Sequence, residues 1–307
     1  MSSNERAPTF TVANFNLHAG IDGWGRPFDV VAACRALDAD VVVLEECWTP
    51  AGRPEAGQAV LVASALGYAV VEEALATGRR AAPHEGADHR WMRSWDWRGG
   101  SHAIYLDGER PLGRRTSGSA RFQTAESGAW GIAVLSRLPV VDRAVVELGR
   151  LPRDRARRVV LVTVVDVGGT KVTVAGTHMS HLSYGSPVHF RRLGAILGAL
   201  PAVGDGPDAS PGASPDGSPP VSPVVLVGDM NLWGPPTWAL LGGRRCGGGR
   251  WRRAVRGRTW PAWRPHSQLD HILVRGPLTV EHAEVLPMAG SDHRPVRARL
   301  ALDGSSP

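Results

Sequence analysis

The amino-acid sequence predicts an α/β sandwich built from mixed β-sheets, and three observations predict it. Short strand-like apolar runs dominate, and helical stretches are few. Several runs return on themselves through tight glycine turns, as hairpins do. Many end abruptly in acids, amides or histidines, which a strand covered on both faces can carry only at its tip. No repeat with a period of roughly 20–50 residues organises the chain differently.

Thr9 to Leu17 alternates and then meets a turn containing Gly20, Gly23 and Gly25, so it reads as the first strand. Asn14 and Asn16, two apart, share one face near its end. Asp29 then caps a helix that runs to Leu37. Ala39 to Leu44 is a buried strand running straight into Glu45 and Glu46. Adjacent side chains on a strand face opposite ways, so only one of this pair is expected at any given site. A helical piece from Glu55 to Leu66 leads to a strand at Tyr68 to Ala74. From Thr77 to Ala129 the pattern lapses, apart from a short strand at Ala103 to Leu106. This stretch reads as a Trp/Arg-rich insertion, since loops this long in compact domains are functional or mobile. Within it Trp91, Trp95 and Trp97, beside Arg90, Arg93 and Arg98, either grip a substrate or pack as a lid on the protein itself.

Order returns at Gly131 to Leu135, followed by Ser136 to Pro139. Arg158 to Val165 and Lys171 to Gly176 pair about a turn at Gly168, and that hairpin ends in Thr177-His178. Pro187 to Leu200 is an amphipathic helix with Arg191 and Arg192 outward. The Pro/Gly/Ser-rich tract 201–223 is a flexible loop inside the domain, because the strand it feeds, Val224 to Val227, needs neighbours to bury it. Gly228 breaks that strand, and Asp229 and Asn231 emerge beyond it on one side. From Gly242 to Arg258 glycine and arginine are dense, with Trp251, Trp260 and Trp263 in or just after the run. Arg250, Trp251 and Arg252 are the residues expected to touch a polyanion there, the bland alternative being a solvated loop. Gln268 to Val274 sets Asp270 on an otherwise apolar strand, where a buried carboxylate wants a histidine. Gly290 to Pro295 then presents Asp292 and His293 just before the last strand, Val296 to Leu302.

Composition sets the outer bounds. At 307 residues and 43% hydrophobic the chain can fill one large core, and a single domain over residues 9–303 is expected, as a monomer. No apolar run is long enough to span a bilayer, and the polar start lacks the apolar core of a secretory signal. Cys34, Cys47 and Cys246 are odd in number and widely spaced, which suits the reducing cytoplasm. The net charge of +6 and pI near 10.0 favour a polyanionic partner. Lys171 is the only lysine, and arginine suits a bidentate grip on phosphate. A GC-rich genome would also enrich arginine, so base composition competes with this reading.

The chemistry-bearing residues at strand ends are Asn16, Glu46, His178, Asp229, Asn231, Asp270, Asp292 and His293. They offer hard oxygen ligands and two imidazoles but no thiolate, which suits Mg²⁺ or Mn²⁺ completed by water and phosphate. Such an ion neutralises charge growing on a phosphoryl group. A histidine held by a buried carboxylate can take a proton from water near neutral pH.

Seven motifs occur in a telling order. They are Asn-Phe-Asn-Leu around Asn16, Leu-Glu-Glu at Glu46, Gly-Ile-Ala-Val-Leu-Ser-Arg from Gly131, Gly-Thr-His at His178, Val-Gly-Asp-Met-Asn at Asp229, Gln-Leu-Asp-His-Ile at Asp270 and Ser-Asp-His-Arg-Pro at His293. In that order, from Phe10 to Leu302, the chain resembles the endonuclease/exonuclease/phosphatase superfamily. Its members include pancreatic deoxyribonuclease, abasic-site endonucleases, neutral sphingomyelinases and inositol polyphosphate 5-phosphatases.

The resemblance implies a four-layered α/β sandwich of two packed mixed β-sheets flanked by helices, and metal-dependent hydrolysis of phosphodiester bonds. It implies that Glu46, Asn16 and Asp292 hold the divalent ion, and that His293, oriented by Asp270, activates water. Asp229 and Asn231 would position water and phosphate, and His178 would steady the oxyanion. The deoxyribonuclease branch pairs that histidine with a glutamate, which Glu73 matches by its place after Tyr68. The family's usual Gln is Glu45 here, a change expected to touch only a contact behind the ligands. Nucleic acid is the expected substrate on charge grounds. The alternatives are lipid or small-molecule phosphoesters, as in sphingomyelinases and inositol phosphatases, and a fold kept only for binding, which the complete residue set disfavours.

Overall fold

The computed structural model describes residues 7–23, 27–80, 104–106, 126–152, 154–181, 185–199, 222–233 and 251–303. The strands among them fall into two sheets. The first holds, in spatial order, β12 (Leu278–Val285), β13 (Val296–Leu302), β1 (Thr9–Asn16), β2 (Val41–Pro50), β5 (Glu126–Ser136), β3 (Ala69–Arg80) and β4 (Ile104–Leu106). The second holds β10 (Arg252–Arg253), β11 (Asp270–Arg275), β9 (Val224–Asp229), β8 (Thr170–Thr177), β7 (Val159–Val167) and β6 (Val140–Glu147). Each sheet is mixed: β1 and β2 are parallel in the first, β8 and β9 in the second, and the other pairs are antiparallel.

Three apolar layers make this a four-layered sandwich. Between the sheets Phe10, Val41, Val43 and Val134 from one side meet Leu161, Val174, Val227 and Ile272 from the other. Outside the first sheet, Ala33 and Cys34 of α1 (Val30–Arg35) and Ala59 and Val62 of α2 (Gln58–Leu66) cover Phe15, Val42 and Leu135. Outside the second, Phe190 of α3 (Gly185–Ala199) joins Val160, Leu226 and Met179. Covering on both faces explains why β2, β7, β9 and β11 read as continuous apolar runs. Asp29 caps α1 as expected, accepting the Ala32 N–H at 2.9 Å. Among the described residues no helix is long and apolar enough to cross a membrane.

Three sequence expectations need correction. The Thr77 to Ala129 stretch is not all insertion: β3 continues to Arg80, β5 starts at Glu126, and Thr77, Gly78, Arg79 and Arg80 pair with Ala129, Gly128, Ser127 and Glu126. These residues are polar or small, so they lack strand patterning, and their partners hold them extended. Ile104–Leu106 forms the expected short strand, while the Trp91–Trp97 cluster lies outside the described residues. Strand β6 was missed because it is an exposed edge with no apolar alternation. The third concerns Glu45 and Glu46, which a bulge in β2 turns to the same side. Nearly all of the 201–223 tract also lies outside the described residues.

Candidate active site

Strands β1, β8, β9 and β11 have one end each at one mouth of the sandwich, and the bulge in the middle of β2 faces the same place, so their residues converge there. Asp270 opens β11 directly opposite Asp229, which closes β9. Asp270 is fully buried, and its two oxygens are divided between two partners. Oδ1 accepts Asn14 Nδ2 at 3.1 Å, and Oδ2 sits 2.9 Å from Nδ1 of His293. The Thr259 hydroxyl accepts the backbone N–H groups of Leu269 and Asp270, fixing the start of the strand. With Nδ1–H given to Asp270, His293 keeps Nε2 as its basic nitrogen, 3.8 Å from Asp229 Oδ2. Burial disfavours the imidazolium of His293, but the carboxylates of Asp270, Asp229 and Asp292 outweigh it and raise its pKa well above the ordinary range.

Asp229 is the centre of the cluster. Its Oδ2 accepts Asn16 Nδ2 at 3.1 Å and lies 3.6 Å from His178 Nε2, while Oδ1 accepts the backbone N–H of Asn231 at 3.0 Å. Burial first, with Asp270 and Glu46 adding to it against the opposing pull of His293, pushes the Asp229 carboxyl up to about 7. Asn231 takes a left-handed backbone conformation (φ 49°) and anchors its amide on the Met179 carbonyl at 3.0 Å. Gly228, one residue before Asp229, has φ 152° and no room for a side chain: a Cβ would lie 1.8 Å from the Thr177 carbonyl oxygen. That close approach of β8 and β9 seats His178 beside Asp229.

His178 is also buried, with its ring 5.1 Å from that of Trp130. Beneath it Arg158 donates to the His178 carbonyl at 3.3 Å and is locked by Asp154 through two bonds of 2.9 Å. Burial, then the Arg158 charge, lowers the His178 pKa well below the usual value, so the ring is neutral. Its Nε2 faces Asp229 and Glu46, which places the proton on that nitrogen and makes it a donor toward the mouth. Glu73 does not pair with His178 as expected. Its carboxylate meets Arg157 at 2.5 Å, because β3 lies on the far side of β5 and reaches the loop before β7 instead.

Glu46 accepts Asn16 Nδ2 at 3.1 Å and Trp130 Nε1 at 3.4 Å. It stands at φ 54°, where the ladder between β2 and β5 slips between Glu45 and Cys47. In a regular strand Glu45 and Glu46 would face apart; the bulge re-aims Glu46, so both carboxyls meet the same cluster. Glu45 lies fully buried behind Gly228, with no side-chain hydrogen-bond partner among the described residues. Burial, then Asp270 and Asp229, raises its pKa well above the carboxylate range and favours the neutral acid. A protonated carboxyl offers one donor and one acceptor, the polarity of the glutamine expected at this position.

Asp292 lies across the mouth. It takes Trp260 Nε1 at 3.2 Å and the Ser291 hydroxyl at 3.4 Å, with His18 Nδ1 at 3.5 Å. Burial opposes its ionisation, but His18, His293 and these bonds prevail and lower its pKa. Asn16 bridges the acids: Nδ2 reaches both Glu46 and Asp229, and Oδ1 accepts the His18 N–H at 2.9 Å. Among the described residues no three His, Cys, Asp or Glu side chains form a closed metal cage. The site fits a hydrated hard cation instead, since Mg²⁺ takes one or two carboxylates and keeps its waters. Burial, reinforced by the neighbouring carboxylates, raises Asp229 and Glu45, and a cation among these acids would relieve that crowding.

The structure thus brings together Asn16, Glu46, His178, Asp229, Asn231, Asp270, Asp292 and His293, but not the expected polyanion contacts. Trp251 is buried in the core over Arg275, whose guanidinium lies 5.0 Å from the ring centre. Arg252 pairs with Val274, four residues along β11 from Asp270 and so about 13 Å away. Its guanidinium binds the carbonyls of Gly276 and Leu278. Arg250 lies outside the described residues. Sequence reasoning gave no role here to His18, Trp130 or Arg158; it noted Asn14 on the face of Asn16 and Trp260 among the tryptophans of a basic segment, without assigning either to this site.

Comparison with known proteins agrees with this fold. None of the curated proteins matches the chain in sequence. An endonuclease/exonuclease/phosphatase from Beutenbergia cavernae is similar in structure at 23% identity, covering 97% of this chain and 72% of its own, with a TM-score of 0.58. The mannosyl-6-phosphatase of Bacteroides thetaiotaomicron is similar at 15% identity, covering 95% and 100%, with a TM-score of 0.58. A humanized TDP2 from D. rerio is similar at 15% identity, covering 95% and 98%, with a TM-score of 0.53. The sequence pattern of the Endonuclease/Exonuclease/phosphatase family matches residues 13–293, nearly the whole length, and the chain belongs to that family.

Proposed function

We propose that the chain is a divalent-metal-dependent phosphodiesterase, with nucleic acid as its substrate. The observation that carries this reading is the buried Asp270–His293 pair, set at 2.9 Å and opening toward Glu46, Asp229 and Asp292. His293 Nε2 takes a proton from the attacking water, and Asp270 holds the ring in the tautomer that leaves this nitrogen basic. Asp229 and Asn231 orient the water and the phosphate. His178, neutral and donating from Nε2, steadies charge on a phosphoryl oxygen as it builds. Glu46 and Asp292, with Asn16 between Glu46 and Asp229, are the residues that would hold Mg²⁺ or Mn²⁺, which when bound supplies neutralisation of that growing charge. The net charge of +6 supports a polyanionic substrate.

The test is hydrolysis by the full chain with Mg²⁺, with excess chelator, and with Mn²⁺ added back, on a panel. The panel holds plasmid DNA, abasic duplex, RNA, sphingomyelin, inositol phosphates and a generic phosphodiester. Loss on chelation with recovery on adding metal, and nicking of plasmid, are the expected results. Undiminished turnover in chelator would overturn the metal dependence. Turnover of sphingomyelin or inositol phosphates with intact plasmid would replace the substrate.

A further inference from the structure

Two indoles from distant parts of the chain do the same thing at this site. Trp130, on β5, points its N–H at Glu46 Oε2, and Trp260, in the segment before β11, points its N–H at Asp292 Oδ2, at 3.4 and 3.2 Å. Glu46 takes its side-chain hydrogen bonds from Asn16 and Trp130, and Asp292 from Trp260 and Ser291, with His18 Nδ1 a further neighbour of Asp292 at 3.5 Å. We propose that Trp130 and Trp260 are positioning residues for the divalent ion, each fixing one oxygen of a ligand carboxylate and so the orientation of the whole group. The other oxygen (Glu46 Oε1, shared with Asn16, and Asp292 Oδ1, beside Ser291 and His18) would turn to the ion. The proposal rests on the reading of Glu46 and Asp292 as ligands.

The physical case has three parts. A ligand carboxylate binds well only when an outer partner fixes its orientation, and removing such partners typically costs about 10- to 100-fold in metal affinity. An indole N–H is a donor only and carries no charge. It therefore orients the acid without offsetting the negative charge that attracts a cation, as an arginine in the same place would. Both indoles are themselves held. Trp130 is buried between the His178 ring, at 5.1 Å, and the Arg158 guanidinium, 5.6 Å from its centre, and Asp154 locks that arginine in turn. Trp260 stands edge-on to His266 at 5.2 Å, its backbone N–H bonds the Ser267 carbonyl at 3.0 Å, and two residues on Ala262 N–H bonds the Asp292 carbonyl at 2.7 Å. Trp130 thus links the metal side of the mouth to His178, and Trp260 ties Asp292 to the loop that also anchors Asp270 through Thr259.

The experiment is calorimetric titration of Mn²⁺ into the full-length parent, Trp130→Phe and Trp260→Phe. Melting temperatures in chelator and in Mn²⁺ accompany each titration. Phenylalanine keeps an aromatic ring and removes the N–H. The expected result is a metal-free melting temperature close to the parent's, with Mn²⁺ affinity about 10-fold weaker or more in each variant. The half-saturating Mn²⁺ concentration for hydrolysis should rise by more than kcat falls. If either variant is unfolded in chelator, the titration is made with benzothienylalanine at that position, which puts sulfur in place of the N–H in a ring of the same shape. Parent-like Mn²⁺ affinity in the variants overturns the positioning role and leaves the phosphodiesterase reading standing. A parent chain that binds no Mn²⁺ overturns both.

Discussion

Asn14 and Asp270 are 256 residues apart in sequence, yet Asn14 Nδ2 donates to Asp270 Oδ1 at 3.1 Å across the gap between the two sheets. The bond occupies one carboxylate oxygen and turns the other to His293, so the sandwich interface itself sets the aim of the base.

That arrangement dictates a pH profile. In the proposed role His293 acts as the neutral base, and its pKa is held above the ordinary value of 6.5, so kcat/KM should climb as pH rises through a pKa above 6.5. Asp270 is the strongest of the groups that raise it. Asp270→Asn should therefore move the ascending limb toward acid while lowering the plateau by about 10²- to 10⁴-fold. A limb that stays in place would remove Asp270 from this role.

Asp229 should cost the metal-free fold stability. Its folded pKa is about 7 against an ordinary 3.8, so between those values the folded chain binds more protons than the unfolded one. Stability then falls as pH rises through this window. Without metal, Asp229→Asn should melt higher than the parent at pH 8, by about 3 °C or more, and the gap should close near pH 4. The same variant should lose most turnover. Equal melting curves at pH 8 would contradict the burial and crowding of Asp229 described at the mouth.

Asp154 and Arg158 are buried as a pair, with side chains 1% and 3% exposed. Removing one partner strands a charge in the interior, which typically costs about 3–5 kcal/mol. Asp154→Ala should show that loss in urea denaturation, and the Asp154→Ala/Arg158→Leu double variant should regain much of it. Additive losses would show the two residues to be uncoupled.

Arg252 pairs with the far end of β11 from Asp270 and His293. Arg252→Ala should keep kcat/KM on plasmid DNA within about two-fold of the parent, with the same salt dependence. A reduced salt slope would restore it as a phosphate contact.

How much of this was legible follows from particular residues. Asp229, His178 and Asp270 announce themselves because their strands are apolar up to the tip, and burial on both faces leaves polar residues only that place. Glu73 misled because proximity in sequence order says nothing of which strand lies between; β5 separates β3 from β2. Trp251 and Arg252 misled because composition cannot tell a core indole under Arg275 from an exposed one. Trp130 passed unmarked and Trp260 was read only as one aromatic of a basic segment, since their partners lie 84 and 32 residues away. The ends of β3 and β5 were lost because glycine, serine and arginine carry no period, and only the ladder between Arg80 and Glu126 makes them strand.

The slip in β2 has an evolutionary corollary. One surplus residue lets two neighbouring glutamates serve one centre from different depths, Glu46 at the rim and Glu45 beneath. Deleting a single residue there would restore strict alternation and swing one acid out toward the outer face of the sheet, away from the cluster. In descendants of this chain, β2 therefore has no slack left to give.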